Sequence, residues 1–123
     1  MSAKKILIVD DSSTVLLMER MILSAGSYEV VSARDGQEGV ELAERERPDL
    51  ILMDVMMPRL NGFEACRRIR QGERTRHIPV IMVSTRGELE SVEGGYEAGC
   101  ADYVTKPING LELLSKVRSH LGT

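Results

Sequence analysis

The sequence predicts an α/β fold, a single five-stranded parallel sheet with five helices on two faces. Three observations carry this. Short, continuous apolar runs recur along the chain, as strands buried on both faces require. Segments with helical periodicity separate them. The alternation is strict, each strand followed by a helix, which makes the sheet parallel and its crossovers right-handed.

The first run is KILIV at 5–9, and helical periodicity follows over 13–25, where Ser12 or Ser13 can cap the helix. The second run is EVVS at 29–32. Asp35-Gly36 turns from it into a helix over 36–46, which Pro48 ends. The third run, DLILM at 49–53, leads through Asn61-Gly62 to a helix over 62–71. The fourth, IPVIMV at 78–83, precedes a helix over 87–98. A weaker run, DYVT at 102–105, leads to a last helix over 110–121. Glycine inside a helix costs about 1 kcal/mol relative to alanine, so Gly94-Gly95 should leave the fourth helix loose or late to start. In the first helix, at 100° per residue, Val15, Met18 and Ile22 form the core stripe. Leu16, Leu17 and Leu23 fall off it and are expected either to face a partner or to widen the core contact. Met18, Met53 and Met82 read as core filler, and His77 and His120 as solvated element ends.

The chain has 123 residues, which fits one domain over 1–123, either standing alone or as a unit of a larger protein. Its formal net charge of -3 gives no reason to expect direct nucleic-acid binding. Cys66 and Cys100 lie far apart without a CxxC pairing, which suits reduced thiols and a cytoplasmic setting. No apolar run approaches membrane-spanning length, and no signal-peptide pattern precedes the first strand.

In an open parallel sheet, sites form beyond the carboxyl ends of the strands. Asp10-Asp11, Asp54, Ser84-Thr85 and Lys106-Pro107 stand at those ends. Two like charges about 4 Å apart cost roughly 4 kcal/mol at an effective dielectric near 20. A hard divalent cation relieves this, and an all-oxygen donor set suits Mg²⁺. An aspartate beside such a cation and a lysine can accept a phosphoryl group.

Taken together, these motifs resemble the receiver domain of bacterial two-component response regulators over nearly the whole chain. VDDS at Val9–Ser12 resembles its acidic pair, and LMDVMMPRLNG at Leu52–Gly62 its phosphoacceptor segment. VST at Val83–Thr85 resembles its hydroxyl motif, and DYVTKP at Asp102–Pro107 its final motif. The resemblance implies a flavodoxin-like sheet of order 2-1-3-4-5. It implies phosphorylation of Asp54, with Ser84 and Lys106 bonding the phosphoryl oxygens. Mg²⁺ would be held by Asp11, Asp54 and the Met56 carbonyl, with Asp10 acting through water. Tyr103 would be a switch aromatic coupled to Ser84, and the Lys106–Pro107 peptide would be cis. The phosphodonor would be a histidine kinase, a histidine phosphotransfer protein or a small acyl phosphate. Output would pass to an effector protein through the 87–98 helix, the 102–105 strand and the last helix. The chain would act as a monomer or as a phosphorylation-promoted homodimer. Glu97, Asp102, Lys116 and Arg118 would meet the effector or pair across the dimer. Such a protein is a phosphoacceptor that assists its own phosphorylation and dephosphorylation rather than an ordinary enzyme.

Three rivals differ in the residues they require. An aspartyl-phosphate phosphatase needs a second acid two residues after its nucleophile, where Met56 stands. A flavin carrier needs a phosphate-cradling loop after the first strand, where Asp10-Asp11 would repel the phosphate. A phosphorylation-independent pseudo-receiver would bind a partner without the pocket residues, yet all of them are present.

Overall fold

The computed structural model describes residues 3–85, 94 and 96–122. Five strands form one sheet: β1 (Lys4–Val9), β2 (Tyr28–Ala33), β3 (Leu50–Asp54), β4 (Val80–Ser84) and β5 (Asp102–Thr105). Their order is β2-β1-β3-β4-β5, and every neighbouring pair is parallel. Among the described residues the helices are α1 (Ser13–Leu23), α2 (Gly36–Glu46), α3 (Gly62–Gln71) and α4 (Gly110–Leu121). Of the expected 87–98 helix, Gly94, Tyr96 and Glu97 are helical. Residues 87–93 and Gly95 lie outside the described residues, and with them the expected looseness of Gly94-Gly95.

The two faces of the sheet build two core clusters, because alternate strand residues point to opposite sides. On one face Leu7, Val9, Ile51, Met53 and Met82 pack with Leu42 of α2 and with Ala65, Cys66 and Ile69 of α3. On the other, Ile6, Ile8, Leu50, Leu52, Val83 and Val104 pack with Leu16 and Leu23 of α1 and with Leu113 and Val117 of α4. The helices start where their caps dictate. Ser12 Oγ accepts the Val15 N–H, and Asp35 and Asn109 serve α2 and α4 in the same way. Asn61 and Glu64 form a reciprocal capping box at α3. The Arg70 guanidinium then donates to the carbonyls of Gly99, Arg76 and Ile78. One side chain thus ties α3 to the approaches of β4 and β5.

The orientation of α1 differs from the sequence expectation. Leu16, Glu19 and Leu23 face the core, whereas Leu17, Met18 and Met21 are exposed. Leu16 and Leu23 are therefore core residues, and Met18 is not. Glu19 sits in the middle of the buried face, and a stripe drawn through Val15, Met18 and Ile22 lies about a right angle away from the true one. His120 also departs from expectation: its Nε2 lies 3.0 Å from Asp102, whose other oxygen is 3.4 Å from Lys116. Asp102 and Lys116 are thus paired within the chain, tying β5 to α4, rather than free to pair across a dimer.

Gly62 brings α3 against the end of β3. Its N–H donates to the Val55 carbonyl at 2.9 Å, and a Cβ there would fall 2.1 Å from the Asp54 carbonyl oxygen. At Gly110 an added Cβ would only make ordinary contact with Ile22, at 3.4 Å. Gly62→Ala should therefore cost about 1–3 kcal/mol in chemical denaturation, while Gly110→Ala should cost nothing measurable. Equal midpoints for the two variants would show that α3 does not depend on that close approach.

Candidate functional site

The site grows out of the strand ends, and the backbone pins each contributor. The Asp10 N–H donates to the Ala33 carbonyl at 3.2 Å, so the residue is held just past β1. Asp54 closes β3, and the next N–H, of Val55, donates to the Val83 carbonyl at 3.1 Å. The Lys106 N–H donates to the Ser84 carbonyl at 2.6 Å, and the Lys106–Pro107 peptide is cis, as the resemblance implied.

Side chains then converge. Lys106 Nζ donates to Asp10 Oδ2 at 3.0 Å and to Asp54 Oδ1 at 3.1 Å. Carboxylate oxygens of Asp10, Asp11 and Asp54 all lie within 4.8 Å of one another. Asp10 and Asp54 are buried, and Asp11 is exposed. Asp10 Oδ1 is also engaged, by the Ser12 N–H at 2.9 Å. Ser84 is fully buried at the end of β4, and Met56 is exposed in the loop after β3. Tyr103 is buried in the cluster that holds Met82, Ala98 and Cys100. Two clefts, of about 450 and 520 Å³, are lined by other residues, among them Asp35 and Arg59 in one and Met21 and Leu111 in the other.

Crowding shapes the titration of the site. Burial first, and then the charge of Asp10, push the Asp54 carboxyl up to about 6 despite the opposing bond from Lys106. Burial disfavours the Lys106 charge, but its bonds to Asp10 and Asp54 prevail and raise its pKa. The ammonium thus gains more from two carboxylates than Asp54 gains from one ammonium among acidic neighbours.

Sequence reasoning missed one residue entirely. Glu19 is only 1% exposed, and its Oε1 has no hydrogen-bond partner among the described residues. Burial, and then the charge of Asp10, raise its carboxyl to about 8, with Lys106 opposing and Asp54 adding. An unsatisfied buried polar oxygen costs about 1–3 kcal/mol. The available signal was spacing: Glu19 stands three residues after Leu16 and four before Leu23, on the helix stripe both share.

Comparison with known proteins agrees with this geometry. The family model for the response regulator receiver domain matches residues 6–118. The chain is 40% identical to protein PilH of Pseudomonas aeruginosa, over 95% of this chain and 97% of that protein. It is 39% identical to the DNA-binding dual master transcriptional regulator RpaA of Synechocystis, over 95% of this chain but 48% of that protein. The chain thus spans about half the length of RpaA, and 26% of the response regulator PleD of Caulobacter vibrioides. Among solved structures, the receiver domain of the sensor histidine kinase PA1611 of Pseudomonas aeruginosa matches with a TM-score of 0.91 and 33% identity. That match covers 99% of this chain and 100% of the other, which has a magnesium ion coordinated in its active-site cleft. No helix among the described residues is long and apolar enough to cross a membrane.

The raised carboxyls fix a pH dependence. Glu19 holds its proton more tightly folded than unfolded, so its contribution to stability is full below its ordinary value of 4.5. That contribution is lost as pH rises towards about 8. Glu19→Gln should therefore raise the melting temperature, relative to the unsubstituted protein, more at pH 8 than at pH 5. An equal difference at the two pH values would mean that Glu19 titrates normally.

Proposed function

Because the chain belongs to the response regulator receiver domain family, we propose that it is a signalling switch that accepts a phosphoryl group on Asp54. The observation that carries this is the Lys106 ammonium, 3.0 Å from Asp10 and 3.1 Å from Asp54. Oδ1 of Asp54 is engaged by Lys106, whereas Oδ2 has no hydrogen bond among the described residues. Oδ2 is therefore the attacking atom. It forms the new P–O bond as the bond from phosphorus to the donor breaks, and the donor leaves with the electron pair. That donor is a phosphohistidine of a kinase or phosphotransfer protein, or an acyl phosphate. Lys106 and Ser84 then bond phosphoryl oxygens.

The donor set fits Mg²⁺, being three carboxylates that crowd one another around all-oxygen ligands. Asp11, Asp54 and the Met56 carbonyl would hold the ion, and Asp10, with both oxygens already engaged, would act through water. When bound, Mg²⁺ supplies neutralisation of the charge spread over the transferring oxygens. Position 56 offers no acid for rapid hydrolysis, which supports a switch over a phosphatase.

The output surface we assign comprises the 87–98 segment, β5 and α4, with an effector protein or a second copy of the chain as its partner. Tyr103 is buried in the cluster that holds Met82, Ala98 and Cys100, so its coupling to Ser84 would operate by holding or releasing that ring. Donor docking we assign to the exposed face of α1. Leu17 is 61%, Met21 68% and Leu111 of α4 83% exposed, and Met21 and Leu111 line the 520 Å³ cleft between the two helices. We take residues 1–123 as one such unit, working in the cytoplasm.

Incubation with acetyl phosphate and Mg²⁺ should add one phosphoryl group by intact mass, and either chelation of the metal or Asp54→Asn should abolish it. Labelling of Asp54→Asn at the unsubstituted rate would sink the assignment. Met21→Glu should slow transfer from a phosphorylated histidine phosphotransfer protein by about ten-fold, equivalent to about 1.4 kcal/mol, and leave acetyl phosphate labelling unchanged. Equal slowing with both donors would place the donor elsewhere.

A further inference from the structure

Among the described residues, Glu19 is the one buried carboxyl that the phosphoacceptor chemistry above does not use. It lies on the face of α1 that covers Ile8, Leu52, Val83 and Val104. Strand side chains alternate in direction, so residues two further along continue the same row. Two beyond Ile8 is Asp10, two beyond Leu52 is Asp54, and two beyond Val104 is Lys106. Glu19 therefore lies, buried, on the side of the sheet from which Asp10, Asp54 and Lys106 leave their strands. Its electrostatic coupling to Asp10, Lys106 and Asp54 agrees with that placement. Oε1 is sealed from solvent and unpartnered among the described residues. Buried polar atoms in native proteins are nearly always bonded, so an orphan on this side of the sheet points to a partner that arrives in another state.

Lys106 is positioned to be that partner. Its ammonium carries three N–H donors, of which two serve Asp10 and Asp54. A phosphoryl group on Asp54 changes both of those acceptors, because it occupies one carboxylate and draws counter-charge towards the other. The ammonium must then bond the phosphoryl oxygens and still be held on this side of the sheet. We propose that Glu19 is a positioning residue, its Oε1 accepting from Lys106 while the ammonium bonds the phosphoryl group. This inference rests on Asp54 being the phosphoacceptor. It explains why an apolar helix face keeps a carboxyl that leucine would fill without leaving an orphan.

The test separates positioning from packing. Glu19→Leu removes the orphaned oxygen and should raise the melting temperature, yet slow acetyl phosphate labelling by about ten-fold. Glu19→Gln keeps an acceptor oxygen of the same reach and should restore most of the rate. In a Lys106→Ala background, Glu19→Leu should have no further effect on labelling, since its action passes through the ammonium. In the protein loaded with Mg²⁺ and beryllofluoride, the ¹⁵N signal of the Lys106 ammonium should be sharp and should broaden in Glu19→Leu. Labelling of Glu19→Leu at the unsubstituted rate, or an equal loss with Lys106 present and absent, would overturn the inference and leave the phosphoacceptor assignment standing. Absence of labelling in the unsubstituted protein would overturn both.

Discussion

A single ammonium holds together a rim where carboxylates crowd one another. Lys106 bridges Asp10 and Asp54, and the strand order makes that bridge possible. β1 and β3 are neighbours in register, Val9 beside Met53, so Asp10 and Asp54 leave the sheet side by side. Lys106 follows β5, which stands two strands from β3 with β4 between. Neighbouring strands are about 4.8 Å apart, so the Lys106 and Asp54 side chains and the bond between them together close roughly twice that distance. A long, unbranched cation does this while its root stays tied to the Ser84 carbonyl. Shorter residues at position 106 would leave two buried carboxylates facing each other without a counter-charge.

The chain keeps local features that oppose stability where chemistry is placed. Asp54 is buried against other acids, and Glu19 is buried without a partner. Arg59, in the loop after β3, holds a left-handed backbone at φ 67, a conformation uncommon outside glycine. All three lie at or next to one edge of the sheet. Elsewhere propensity, capping and packing agree, as at the Asn61–Glu64 capping box and the fully apolar β3 and β4. Arg47, at the C-cap of α2, holds a left-handed backbone as well, at φ 46, so such positions also occur away from the rim.

Much of this was legible in the residues because the signals were redundant. Parallel strands buried on both faces give unbroken apolar runs, and DLILM and IPVIMV landed on β3 and β4 within two residues. Each rim residue followed such a run, so the convergence of Asp10, Asp54 and Lys106 could be anticipated from position alone. Glu19 could not. A glutamate on an amphipathic helix normally marks the wet side, and a stripe drawn through the apolar residues Val15, Met18 and Ile22 put Met18 in the core and Leu16 off it. The pairing of His120 and Lys116 with Asp102 was equally hidden, because it joins residues on β5 and α4 through contacts that no local pattern encodes. The anchoring of four carbonyls by Arg70, those of Thr75, Arg76, Ile78 and Gly99, depends in the same way on where loops pass and not on sequence spacing.

The bridging ammonium is the claim on which the site stands, and the titration of Asp54 measures it directly. Following the Asp54 carboxyl carbon by NMR in metal-free protein should give a midpoint near 6, and in Lys106→Met that midpoint should move higher, because the opposing charge is gone and the acidic neighbours remain. A midpoint that stays in place or falls in Lys106→Met would contradict the bridge.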